Sequence, residues 1–195
     1  PKVVIDKISN FYETEFSNVG RSVHTLAVKA TNRFEASRDK VQKYLNAKHR
    51  EEIIFTKGAT EAINLVASSY GKKYINKGDE ILITELEHHS NYVPWNFLRT
   101  EKGAQIKFAQ VNENGDVEID EIKKLITNKT KIIAITHISN VTGAVLPIAK
   151  IVDLAKKMNI PVLIDGTQGA PHSEIDMQKI GCDFYAISCH KMYGP

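Results

Sequence analysis

The hydrophobic pattern of the chain changes after about its first fifty residues. Residues 24–46 carry apolar side chains at close to a 3.6-residue period, which predicts an amphipathic helix within a helical N-terminal segment of about residues 1–50. Beyond it, short β-branched runs alternate with amphipathic stretches. These runs predict six strands, at EEIIFT, DEILIT, QIKFAQV, KIIAITHI, PVLID and CDFYAIS.

The strand-like runs are almost continuously apolar, which is typical of strands that are covered on both faces. Because helical patterns separate them, the chain is predicted to form a three-layer αβα fold around a mostly parallel sheet. The QIKFAQV run is expected toward an edge of that sheet. No repeat, low-complexity tract or linker interrupts the chain, so we predict a single domain over residues 1–195.

Charge and composition narrow the possible partners. The net charge of +3 is small and spread along the chain, so neither a nucleic-acid-binding surface nor a nucleic-acid partner is predicted. No apolar run reaches the ~20 residues of a membrane span, and the N-terminal residues do not resemble a signal peptide. We therefore expect a cytoplasmic protein with no membrane partner, in which Cys182 and Cys189 form no disulfide.

Small, hydroxylic, imidazole and single charged residues follow five of the six strand-like runs. In an open α/β sheet, ligands bind beyond the carboxyl ends of the strands, so these positions form the candidate site. The segments are TKGAT at 56–60, ELEHHSN at 85–91, HISNVTG at 137–143, DGTQ at 165–168 and SCHK at 188–191.

The TKGATEAINL segment is the candidate phosphate site. Gly58 allows close backbone approach, and the amides of Ala59 and Thr60 would lie at a helix N-terminus, where an anion is favoured. The alternative is a plain helix start with Thr60 as its N-cap. The segment is neither a Walker loop nor a G-x-G-x-x-G fingerprint, which disfavours a nicotinamide-binding Rossmann domain.

Two opposite charges end the last two strand-like runs. Asp165 either caps the following turn or pairs with a protonated ring nitrogen, and Gln168 could reach a neighbouring ring substituent. Lys191 is either a solvated lysine or, at the carboxyl edge of the sheet beside Ser188 and His190, an amine nucleophile with a lowered pKa.

The adjacent histidines His88 and His89 raise the question of a metal site. Neighbouring side chains diverge on a strand or a helix, and the i, i+4 spacing of a helical metal pair is absent. We therefore predict no metal, and instead an imidazole that stacks on an aromatic cofactor.

Five segments in series resemble one enzyme family. TKGATEAINLVA, ELEHHSNYVPW, THISNVTGAVLPI, VLIDGTQGAPH and CDFYAISCHKMYGP are similar to segments of pyridoxal 5′-phosphate (PLP) enzymes of aminotransferase class V. Within them, the chain looks most like cysteine desulfurases of the branch that includes selenocysteine lyases, and NVGRSVHTLAVKATNRFEASRDKV adds to this likeness. The resemblance implies the large domain of a PLP-dependent transferase of fold type I.

The resemblance also implies roles for the residues that follow the strands. Lys191 would bind PLP covalently and act in catalysis, Asp165 would pair with the pyridinium nitrogen, and Gln168 would contact the phenolic oxygen. His88 would stack on the ring and take part in proton transfer.

A second set of residues would hold the phosphate of PLP and the carboxylate of the substrate. The resemblance assigns the phosphate to the amide of Ala59, to Thr60, Ser188 and His190, and the substrate carboxylate to Asn140. Ala59 stands where the family commonly has threonine, so one hydroxyl is missing there.

The implied reaction converts L-cysteine to L-alanine and passes sulfur to a protein cysteine as a persulfide, for instance for iron–sulfur cluster assembly. The implied partners are a sulfur-acceptor protein and a second copy of the chain in a homodimer. Family members are about twice as long, so we expect this chain to be a fragment without the reactive cysteine and the carboxylate-binding arginine, inactive alone. Alternatives are a selenocysteine lyase, another class V aminotransferase, or a non-catalytic interaction protein that retains the fold.

Overall fold

The architecture is taken from a computed structural model that describes residues 1–20 and 23–195. Arg21 and Ser22, which belong to one of the segments used for the family resemblance, lie outside the described residues. The helices of the described part are α1 Lys2–Thr14, α2 Thr25–Tyr44, α3 Ala59–Val66, α4 Lys72–Tyr74, α5 Val93–Lys102, α6 Ile119–Leu125, α7 Ile148–Lys157, α8 Gly169–His172 and α9 Met177–Ile180.

Five parallel strands form the sheet, in the spatial order β2-β1-β3-β4-β5. They are β1 Glu80–Thr84, β2 Gln105–Ala109, β3 Thr130–Thr136, β4 Val162–Asp165 and β5 Phe184–Ala186. Each coincides with a predicted run, and β2 lies at an edge as expected. The chain passes from β1 outward to β2 and returns to β3 on the other side. The switch point of the topology, where ligands bind in such sheets, therefore lies between β1 and β3.

The prediction of a strand at EEIIFT is wrong. The run begins in a 3₁₀ turn, Arg50–Glu52, and the amide of Ile53 donates to the carbonyl of Arg50 at 3.1 Å. The carbonyl of Ile53 accepts from the guanidinium of Arg38 on α2. Because the turn and α2 satisfy this backbone, the run lies beside α2 instead of joining the sheet.

Helices cover both faces of the sheet, as the continuous apolar runs predicted. On one face, Ile81 and Ile83 of β1 pack with α3 and α5, including the fully buried Trp95. On the other face, Leu82 packs with α6 and α7. Alternate residues of one strand thus enter two separate cores, which confirms the three-layer αβα architecture.

Candidate active site

A cavity of about 290 Å³ opens at the carboxyl edge of the sheet, beyond β3, β4 and β5 and beside the start of α3. Because all five strands are parallel, the segments that follow them converge at this edge. The lining includes every residue predicted for the site, namely Ala59, Thr60, His88, Asn140, Asp165, Gln168, Ser188, His190 and Lys191.

The start of α3 forms one end of the cavity. The amide of Ala59 donates to Ser188 Oγ at 2.9 Å. Gly58 precedes it with φ +150°, and a Cβ there would lie 3.3 Å from the same oxygen, so glycine suits both the backbone and the close approach. Gly58 provides no side-chain cap, and Thr60 lies inside the first turn. The alternative in which Thr60 caps the helix is therefore wrong, and the helix start presents backbone donors that favour an anion.

Asp165 lies at the end of β4 and is only 3% exposed. Its Oδ1 accepts a hydrogen bond from the amide of Thr167 at 3.0 Å, so one oxygen does cap the following turn. Among the described residues, Oδ2 has no hydrogen-bond partner and the carboxylate has no ion pair. The buried hydroxyl of Thr167, which also lines the cavity, is likewise without a partner. The second carboxylate oxygen of Asp165 is therefore available to accept a hydrogen bond from a group bound in the cavity.

Lys191 also lines the cavity. It ends the 3₁₀ turn Cys189–Lys191 that follows β5, and its amide donates to the carbonyl of Ser188 at 3.1 Å. The side chain is half-buried, and within residues 1–20 and 23–195 it forms no ion pair with an acid. Lys191 and Asp165 therefore line one cavity and, among the described residues, form no ion pair with each other.

The imidazole of His88 is held by its own turn. Nδ1 lies 2.8 Å from Ser90 Oγ and accepts from the amide of Ser90 at 3.1 Å. The amide of Asn91 donates to the carbonyl of His88 at 2.8 Å and closes the 3₁₀ turn His89–Asn91. His88 and Ser90 both line the cavity, so this turn fixes one of its walls.

The chain matches the family described as aminotransferase class V over residues 1–195. The chain belongs to the aminotransferase class V family. A probable cysteine desulfurase of Halalkalibacterium halodurans is 46% identical to it over 195 residues, which are 100% of this chain and 48% of that protein. The class V resemblance, with its likeness to cysteine desulfurases, is thus confirmed.

Solved structures agree with this class V assignment. The cysteine desulfurase CsdA of Escherichia coli, in an S-sulfonic acid form, matches with a TM-score of 0.90 and 38% identity, over 100% of this chain and 49% of that one. SspA in complex with cysteine matches with a TM-score of 0.93 and 27% identity, over 100% of this chain and 55% of that one. The sheet and its helices match the large domain of PLP-dependent transferases of fold type I, as predicted.

The class V relatives are longer than this chain, which spans about half of the H. halodurans protein and of the E. coli structure. Within residues 1–20 and 23–195, no helix has both the length and the apolar character needed to cross a membrane.

Four further residues line the cavity to which the sequence analysis gave no individual role: Ser90, Thr136, Ile138 and Thr167. Ser90, Ile138 and Thr167 lie within the segments predicted to form the site, and Thr136 is the last residue of β3, directly before one of them.

A pair of hydrogen-bonded rings supports the turn that carries Asp165 and Gln168. His137 Nδ1 lies 2.8 Å from the hydroxyl of Tyr185, and burial lowers the pKa of His137. A Cβ at Gly166 would lie 2.0 Å from Cε1 of Tyr185, and one at Gly169 would lie 2.2 Å from Nδ1 of His137. The backbone of the turn therefore rests directly on the two rings, which only glycine permits.

Glu87 is the acid most perturbed near the site. Burial raises its pKa from the ordinary 4.5 to about 7, against the opposing effects of hydrogen bonds from Thr84, Asn91 and the amide of Thr136. The nearby Asp165 raises the pKa further. No sequence signal distinguished this glutamate from the solvated acids around it.

The metal alternative gains no support from the geometry. The rings of His88 and His89 are 6.1 Å apart between centroids, and the part of the chain that the structure describes has no cluster of three or more potential metal ligands.

Both cysteines are free thiols, and burial raises the pKa of Cys182 to about 12, which leaves it a packing residue rather than a nucleophile.

Proposed function

We propose that this chain is the cofactor-binding large domain, over residues 1–195, of a PLP-dependent cysteine desulfurase. The observation that carries the proposal is that Asp165 and the half-buried Lys191 line the same cavity without forming an ion pair. Oδ2 of Asp165 has no hydrogen-bond partner among the described residues. Such a pair suits a cofactor with a basic ring nitrogen and an aldehyde.

The hydrogen-bond donors and acceptors that line the cavity are of the kinds that PLP needs at its phosphate and at its ring. The uncapped start of α3, with the amide of Ala59 and the hydroxyl of Thr60, would hold the phosphate together with Ser188 and His190. At the other end, Asp165 would accept from the ring nitrogen, and Gln168 would contact the phenolic oxygen. Asn140 would bind the carboxylate of the substrate.

The side chains of the chain would then perform the proton chemistry. When bound, PLP supplies a ring that withdraws electrons from the α-carbon of an amino acid. Asp165, buried at the end of β4, would accept from the facing ring nitrogen and keep it protonated. Lys191 would attach the cofactor and carry a proton on Nζ, and His88, oriented by Ser90, would cover the ring face and assist proton transfer.

L-cysteine is the substrate that the relatives favour. The curated relative is named a probable cysteine desulfurase, and one matching structure is of SspA in complex with cysteine. We accordingly propose a sulfur-acceptor protein as partner, a homodimer, a contribution to iron–sulfur cluster assembly and a cytoplasmic location. Neither Cys182 nor Cys189 is assigned as the persulfide-forming residue.

Alanine release tests the proposal. The purified protein, loaded with PLP, is given L-cysteine, L-selenocysteine or a panel of other amino acids, with Lys191→Ala as the inactive control. We expect alanine from L-cysteine when these residues are part of a protein of the relatives' length, none from the isolated 195 residues, and none from Lys191→Ala. Alanine from L-selenocysteine alone would make it a selenocysteine lyase, transamination of other amino acids would make it an aminotransferase, and no PLP binding would indicate a non-catalytic protein.

A further inference from the structure

A chain of buried and partly buried hydrogen bonds runs from the core of the α3–α5 layer to the residue that precedes His88. Trp95 Nε1, in a fully buried side chain, donates to Asn91 Oδ1 at 3.0 Å. Asn91, also fully buried, donates from Nδ2 to Glu87 Oε2 at 2.7 Å. Glu87 immediately precedes His88.

The other carboxylate oxygen of Glu87 lies at the switch point of the sheet. Oε1 accepts from Thr84 Oγ1 at 2.6 Å and from the amide of Thr136 at 2.9 Å. The pairing of β1 with β3 ends at Leu82 and Ile133. Beyond that point, the amide of Thr136 on β3 donates to the Glu87 carboxylate instead of to a backbone carbonyl of β1. Glu87 therefore ties the turn after β1 to the end of β3.

Chemistry fixes the direction of the hydrogen bonds that Trp95, Asn91 and the amide of Thr136 make in this network. An indole nitrogen only donates, so Asn91 must present its oxygen to Trp95 and its NH₂ group to Glu87. The amide of Thr136 also only donates. Both oxygens of Glu87 must therefore accept, which a carboxylate does. A protonated carboxyl does so too, because its hydroxyl oxygen keeps a lone pair while it donates to the Thr84 hydroxyl.

We propose that Glu87 is a positioning residue that fixes the His88 turn against the ends of β1 and β3. Asn91, which Glu87 holds, closes that turn through its amide on the carbonyl of His88 at 2.8 Å. Glu87 thus sets the place of the His88 imidazole without lining the predicted cofactor cavity itself. The consequence for PLP rests on the proposed function, whereas the effect on His88 does not.

Three variants test the hydrogen-bond directions between Trp95, Asn91, Glu87 and the amide of Thr136. Glu87→Gln has one acceptor for two donors, so the amide of Thr136 or the NH₂ group of Asn91 loses its partner. We expect Tm to fall by about 5 °C, the shift for one unsatisfied buried donor in a chain of this size. Asn91→Asp places two carboxylates together and also lowers Tm. The double variant Glu87→Gln/Asn91→Asp restores a donor–acceptor sequence, and its Tm should recover most of either loss.

The His88 imidazole is the readout that separates positioning from stability. Its ring resonance is assigned by its disappearance in His88→Gln. The resonance should shift in Glu87→Gln and return in the double variant. Ile122→Val is the matched control, because this side chain is fully buried in the opposite layer and its truncation lowers Tm without touching the turn. The control should leave the His88 resonance in place.

The affinity for PLP extends the test to the cofactor. We expect Glu87→Gln to raise the Kd of PLP about tenfold and the double variant to restore it, since one lost oriented contact is of that order. If the parent does not bind PLP, the proposed function fails, while the Tm cycle and the His88 resonance still decide the role of Glu87. Additive Tm losses, or an unchanged His88 resonance in Glu87→Gln, would overturn the positioning role.

Discussion

The raised pKa of Glu87 predicts how the stability of the protein changes with pH. Burial raises this pKa from the ordinary 4.5 to about 7, so the folded protein binds the proton more tightly than the unfolded chain does. The stabilisation is fully present below the unfolded pKa and is lost as pH rises through about 7. The sign is opposite to that of a salt-bridged acid, whose stabilisation is lost as pH falls.

The size of this effect follows from the shift. Each pKa unit corresponds to about 1.4 kcal/mol, so the shift of Glu87 from 4.5 to about 7 has an upper bound of about 3.5 kcal/mol. Most of that range is crossed between about pH 5.5 and about pH 8.5, where the free energy of unfolding should fall by about 2 kcal/mol. The buried His137, whose pKa is lowered, contributes with the opposite sign over the acidic part of this range.

Urea unfolding of the parent and of Glu87→Gln at a series of pH values isolates the contribution. Glutamine does not titrate, so His137 and all other groups cancel in the difference between the two proteins. We expect the stability advantage of the parent over Glu87→Gln to shrink by about 2 kcal/mol from about pH 5.5 to about pH 8.5. A difference that stays level, or that grows with pH, would refute the reasoning.

Two further predictions concern the support of the cavity. Gly166→Ala would place a Cβ 2.0 Å from the Tyr185 ring, so it should destabilise the protein by about 1–3 kcal/mol in urea unfolding and weaken PLP binding. Gly71→Ala would place a Cβ 2.6 Å from Cδ1 of the buried Leu98, away from the cavity, so it should also destabilise the protein but leave the Kd of PLP unchanged; an equal rise in Kd in the two variants would contradict the account. Ser188→Ala removes the acceptor for the Ala59 amide and should cost about 1 kcal/mol in the same assay, together with a raised Kd for PLP. An unchanged Kd would remove Ser188 from the phosphate site.

The sheet was predictable because its strands are nearly continuous apolar runs between amphipathic ones. The failure at EEIIFT has a physical cause, since periodicity does not reveal which backbone partner a run finds. There, Ile53 bonds to Arg50 in its own turn and to Arg38 on α2, a long-range contact that no local pattern encodes.

The residues that line the site were predictable for a related reason. Parallel strands bring their carboxyl ends together, so His88, Asp165 and Lys191 could be grouped from sequence alone. The residues that support the lining from behind, such as Glu87, could not be predicted from the sequence. Glu87 accepts from the amide of Thr136, 49 residues later, only because the fold brings that amide beside it.

The most direct test of the central claim is to locate the lysine that binds the cofactor. The purified protein is incubated with PLP, reduced with borohydride, digested and examined by mass spectrometry. The account predicts a phosphopyridoxyl group on Lys191, with no cofactor fixed by borohydride in Lys191→Ala. A label on another lysine, or none at all, would contradict it.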